Sequence, residues 1–137
     1  MTRAYRDFLA DMVAHARDAV ACVEGLDLAE VKADRLRCPA LERCFEIIGE
    51  AAGKVEPRIR DRHPEIPWAE MVAVRNRLAH AYFAVDLSIL HRTARDRLPA
   101  LLPLLEQALR DVTSDETGTE NQPRAGVTRA ANCTFGS

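Results

Sequence analysis

Aromatic side chains are scarce, at 5% of the 137 residues, and no stretch alternates apolar and polar residues as a half-buried strand does. A β-sandwich or barrel is thereby excluded. Glycine occurs 6 times, with no glycine-rich loop of the kind that cradles phosphates in nucleotide-binding folds. No uncharged run approaches the ~20 residues of a membrane span. The N-terminus passes directly into charged, amphipathic sequence without an apolar h-region, so no signal peptide is expected and a cytosolic protein is. The four cysteines, Cys22, Cys38, Cys44 and Cys133, lack the short spacing and neighbouring histidines of a zinc site. Reduced, structural thiols and no metal are the expectation.

What remains is a globular composition, 47% hydrophobic and 29% charged, of a size that builds one domain. Its 19 basic and 21 acidic residues leave a formal charge of −2, which argues against a dedicated DNA-binding protein. The charge is unevenly spread. Residues 1–57 carry 8 basic and 11 acidic side chains, residues 58–97 carry 8 and 5, and residues 98–137 carry 3 and 5. All eight cations of the middle segment are arginines, and His63, His80 and His91 lie there too. Arginine grips phosphate bidentately, so an anionic ligand belongs in this segment.

Apolar residues step by three and four over residues 2–24, predicting an amphipathic helix that Gly25 ends. Asp27 and Glu30 have capping-box spacing and predict a short helix to about Asp34. Leu41, Cys44, Phe45, Ile48, Ala52, Val55 and Ile59 mark one face of a long third helix, weakened near Gly53 and Pro57. Residues 63–67, with two prolines, read as a loop. A fourth helix starts near Pro67 and runs through Trp68, Met71, Val72 and Leu78. Asp86 caps a fifth, striped by Leu87, Leu90, Ala94, Leu98, Leu101, Leu105, Ala108 and Val112, and kinked by Pro99 and Pro103. The expected architecture is all-α, an up-and-down bundle of about five helices over residues 1–112. Residues 113–137 lose the period and read as a flexible polar tail.

Residues 71–83 hold the most chemistry. Arg75 falls on the line of Trp68, Met71, Val72, Leu78, Ala79 and Tyr82, where the pattern calls for an apolar side chain. A guanidinium there must be paired, face a cleft, or meet another subunit. Asn76 and His80 share a face, whereas Arg75 and His80 stand roughly 140° apart on a regular helix. A joint role requires a helix that ends near His80, or a second copy of the motif from a symmetric partner. The bland alternative pairs Arg75 with a glutamate and leaves His80 as a helix-end residue. Glu42, Glu46 and Glu50 form an i, i+4 row ending at Lys54. That row is a solvated face, or in part (Glu46 or Glu50) the counter-charge supporting Arg75.

Arg75-x4-His80-x-Tyr82, with Asn76 after the arginine, resembles the signature of the HEPN superfamily, specifically its HepT-like toxins. Three further blocks, at residues 45–52, 63–68 and 96–101, and the extension of the motif to Asp86 resemble the family in order and spacing. The resemblance spans residues 4–110. It implies a homodimeric, HEPN-type bundle and a metal-independent, cofactor-free endoribonuclease, the toxin of a type VII toxin–antitoxin pair. By the same resemblance Arg75, His80 and Asn76 are the catalytic residues. Tyr82 would be the AMP acceptor for an MNT-type nucleotidyltransferase antitoxin. The implied substrate is transfer or messenger RNA, without specific DNA binding or a membrane. A non-catalytic HEPN module that binds a nucleotide or a nucleotidyltransferase is the alternative. The sequence departs from the family at Ala81, where glycine is common, at His91, near an aromatic position, and in an additional Pro103. His91 is expected to add a titratable group near the site.

Overall fold

A computed structural model describes residues 4–80 and 86–121, with side chains through residue 115. Every element among them is helical. Helix α1, Tyr5–Val23, turns one stripe inward, and Leu9, Met12, Val13, Ala16, Ala19 and Val23 are buried. Gly25 follows at φ +73°, a left-handed conformation that an L side chain resists, and the chain reverses there. Helix α2, Leu28–Ala33, opens with the expected reciprocal cap: the Glu30 amide donates to Asp27 Oδ1 at 2.8 Å, and the Asp27 amide donates to Glu30 Oε1 at 2.9 Å.

The long third helix of the sequence reading is two helices. Helix α3, Arg37–Lys54, stops before Val55, and α4, Pro57–Arg62, begins at the proline. Pro57 has no amide hydrogen to continue the ladder, and its ring pushes Glu56 to an extended ψ of 139°. The apolar stripe nevertheless carries across the break, since Val55 and Ile59 are both buried.

Helix α5, Trp68–Ala79, lies along α3, which packs on its other side against α1. Leu78 meets the α3 end that carries Glu42 and Glu46, and Val72 meets Gly53, so the two helices run antiparallel. The start of α5 is pinned by the Trp68 indole, which donates to the His63 carbonyl at 3.0 Å inside the core. Helix α6, Leu87–Arg92, is capped by Asp86, which accepts from the Ser88 amide at 2.9 Å and from its hydroxyl at 2.6 Å. A π-helical turn, Thr93–Arg97, joins it to α7, Leu98–Asn121, and the Leu98 amide donates to the Thr93 carbonyl five residues back. The wider turn lies where Pro99 withholds its bond from Arg95. Arg95, Pro99 and Pro103 all lie on the exposed side, where water can satisfy the released carbonyls. One rod thus continues through both prolines, as the unbroken period requires. It also continues past Val112 to Asn121, because extending an established helix adds one hydrogen bond per ordered residue without renewed nucleation.

Leu9, Met12, Leu41, Ile48, Leu90 and Leu105 are among the largest fully buried side chains. Each contributes about 1.5–3 kcal/mol by leaving water. Among the described residues, no helix is long and apolar enough to cross a membrane.

Candidate functional site

The site begins with a missing side chain. Gly49 lies in the middle of α3, facing α5, and a Cβ built there would fall 2.3 Å from the Arg75 Cβ and 2.4 Å from the Met71 carbonyl oxygen. Only glycine lets the two helices touch at this point. Glu50 is the next residue, and the register that places Gly49 against Arg75 also brings a carboxylate to the guanidinium. Its Oε2 lies 3.6 Å from Arg75 Nη2, and its Oε1 lies 3.7 Å from Lys54 Nζ one turn along α3. Arg75 Nη1 is 3.5 Å from Asn76 Oδ1, a long contact. Arg75 Nε is buried without a hydrogen-bond partner.

Of the two glutamates considered as counter-charges, Glu50 takes that place. Glu46 is held instead by Arg43, three residues earlier on α3. Together with Pro39, Glu42 and Leu78 these two line a shallow polar hollow of about 220 Å³ beside the end of α5. Exposed pairs of this kind contribute about 0–1 kcal/mol, so they shape charge more than they stabilise.

The helix-end condition for cooperation between Arg75 and His80 is met. Ala79 is the last helical residue of α5, and His80 follows with φ −102° and ψ 110°, its amide donating to the Arg77 carbonyl at 3.2 Å. Both His80 and Asn76 are exposed. Tyr82 and Ala81 lie outside the described residues.

His91 takes a different place from the one expected. Its ring is buried, and Nε2 lies 2.9 Å from the Leu26 carbonyl at the turn between α1 and α2. A carbonyl only accepts, so Nε2 carries the proton and the histidine ties α6 to that turn. His63 is also buried, with Nε2 at 3.5 Å from an Asp111 carboxylate oxygen of α7.

Gly49 escaped the sequence reading. Its signal was a glycine in the middle of a strong helical stripe, where it costs about 1 kcal/mol relative to alanine and therefore calls for a packing reason. Beside the site, α5 buries only Trp68 and Met71. An apolar groove of about 270 Å³, lined by residues including Phe45, Ile48, Val74, Ile89, Leu98 and Leu101, lies open on its flank. Ile89 is exposed at the rim.

The family model described as "Ribonuclease HepT-like" matches residues 9–108. A protein of Thermococcus cleftensis named "Probable ribonuclease HepT" is 34% identical over 105 residues, covering 74% of this chain and 92% of that one. A protein of Methanocaldococcus jannaschii with a provisional RNase name is 31% identical over 110 residues, covering 80% and 95%. No solved structure matches. The matched span contains Gly49, Glu50 and the Arg75–His80 motif, and on this evidence the chain belongs to the HepT-like ribonuclease family.

Proposed function

We propose that this protein is a toxin endoribonuclease, acting in the cytoplasm as a homodimer and silenced by a nucleotidyltransferase antitoxin. The observation that carries the reading is the end of α5. There a loosely paired arginine, an exposed asparagine and an exposed histidine follow one another within a chain of this family.

The chemistry needs no metal or cofactor. His80 of one protomer removes the proton from a ribose 2′-hydroxyl, and that oxygen attacks the adjacent phosphorus. The bond from phosphorus to the 5′-oxygen breaks, and the protonated His80 of the partner subunit gives its proton to the leaving oxygen. The products are a 2′,3′-cyclic phosphate and a free 5′-hydroxyl. Arg75 neutralises the charge that builds on the equatorial oxygens, and Asn76 orients the phosphate or the imidazole. Pairing of two copies supplies acid and base from one histidine position, and a second copy would cover the open groove beside α5. Tyr82, two residues beyond His80, is the proposed AMP acceptor. Its modification adds bulk and a negative charge that repels RNA phosphate.

Expression in a bacterial host tests the reading. Growth arrest is expected from the native chain and relief from His80→Ala or Arg75→Ala, with folding unchanged by circular dichroism. In vitro, an RNA oligonucleotide should yield a cyclic-phosphate end, and its DNA counterpart should survive. Equal toxicity of the native and His80→Ala chains refutes the catalytic role. Co-expression with a cognate nucleotidyltransferase should add AMP mass that disappears in Tyr82→Phe, and an unchanged mass refutes the silencing model.

A further inference from the structure

Arg75 is held more loosely than several other arginines of the chain. Arg62, Arg95 and Arg97 each donate to a carboxylate at 2.8–3.0 Å. The contacts of Arg75 are longer, 3.5 Å to Asn76 and 3.6 Å to Glu50, and its Nε is buried and unpartnered. A phosphate arriving from solvent cannot reach a buried atom. With Nε closed to it, a substrate can meet only the Nη end of the guanidinium.

Two consecutive α3 residues meet the Arg75 side chain, one at its base and one at its end. Gly49 sets the distance, since its absent Cβ allows α3 to meet α5 at the Arg75 Cβ. Glu50 supplies the charge. Lys54 shares that charge through the other carboxylate oxygen, so Glu50 restrains Arg75 without cancelling the positive potential of the site. A long, flexible side chain that is already oriented loses less freedom when the transition state forms, and that difference appears in kcat.

We propose that Gly49 and Glu50 are the positioning residues of Arg75: the first fixes how closely its helix approaches, and the second restrains the guanidinium at Nη2, so that its Nη end is already oriented when it meets RNA phosphate. The proposal rests on the reading of Arg75 as a phosphate ligand.

Steady-state cleavage of an RNA oligonucleotide by Glu50 variants of the full chain tests it. Glu50 is exposed, so the variants keep the fold. Glu50→Gln should lower kcat roughly tenfold with KM within about twofold, and Glu50→Asp should recover part of the loss. Lysine has no planar fork to orient, so in an Arg75→Lys background Glu50→Gln should cost no more than about twofold further. A raised KM at unchanged kcat, or a full additional loss in that background, overturns the proposal. Should the native chain cleave no RNA, the functional reading fails by itself. Relaxation of the Arg75 Nε–H group measured by NMR then decides the positioning role. A lower order parameter in Glu50→Gln supports it, and an unchanged one overturns it.

Discussion

Replacing Gly49 by alanine isolates the contact on which the site is built. The new methyl would sit about 1 Å inside ordinary contact with both the Arg75 Cβ and the Met71 carbonyl oxygen. Neither obstacle is the movable end of a side chain, so relief requires α3 and α5 to separate. Overpacking of this kind costs about 1–3 kcal/mol, and here the upper end applies because backbone must move. Alanine recovers about 1 kcal/mol of helix propensity, leaving a net loss of about 2 kcal/mol. In a domain of this size that lowers Tm by roughly 8 °C. Gly53 is the internal control. One turn away on the same helix, its Cβ would meet only Val72 Cγ2 at an ordinary 3.6 Å. Gly53→Ala should therefore stabilise, by about 0.5 kcal/mol so near the helix end. Thermal and urea unfolding followed by far-UV circular dichroism measure both. The same substitution should thus carry opposite signs at positions four residues apart. Gly49→Ala unfolding at or above the temperature of Gly53→Ala refutes the close-approach argument.

Three further outcomes follow from other parts of the fold. His91→Leu leaves the Leu26 carbonyl without its buried donor and should cost about 1–3 kcal/mol in urea unfolding, while RNA cleavage at permissive temperature is retained. The Arg37 and Leu36 amides hold the Asp34 carboxyl below the usual carboxylate range, and the Ser88 hydroxyl and amide do the same for Asp86. A depressed folded-state pKa stabilises above the unfolded value, so this contribution is complete above about pH 4 and lost on further acidification. The double variant Asp34→Asn/Asp86→Asn should show a shallower loss of Tm below that pH than the native chain. Burial pushes the Cys44 thiol up to about 11, leaving about 0.1% thiolate at pH 8. Peptide mapping after iodoacetamide treatment of the folded chain should find Cys44 alkylated more slowly than Cys38.

The helices that carry the site were legible because their signals are local. The Asp27–Glu30 box, the Gly25 stop, the Asp86 cap and the stripe through Pro99 and Pro103 each depend on residues within a turn or two. The break before Pro57 was not legible from periodicity, since Val55 and Ile59 reach the core from either side of it just as they would from one helix. The sequence also left His91 near the motif, whereas its partner is 65 residues away at Leu26.

The amino-acid sequence by itself determined an all-α chain and the helix that carries Arg75 and Asn76; it left open whether that helix ends near His80 and whether Arg75 faces a cleft, meets another subunit or has a counter-charge. Which glutamate supplies it was decided by tertiary structure alone. Glu46 and Glu50 stand one turn apart in the same row on one helix, and nothing in their spacing ranks them. The choice is made where α3 crosses α5. Gly49 lets the backbones touch at Arg75, and the side chain one residue further on reaches the guanidinium, while Glu46, a turn away, is taken by Arg43.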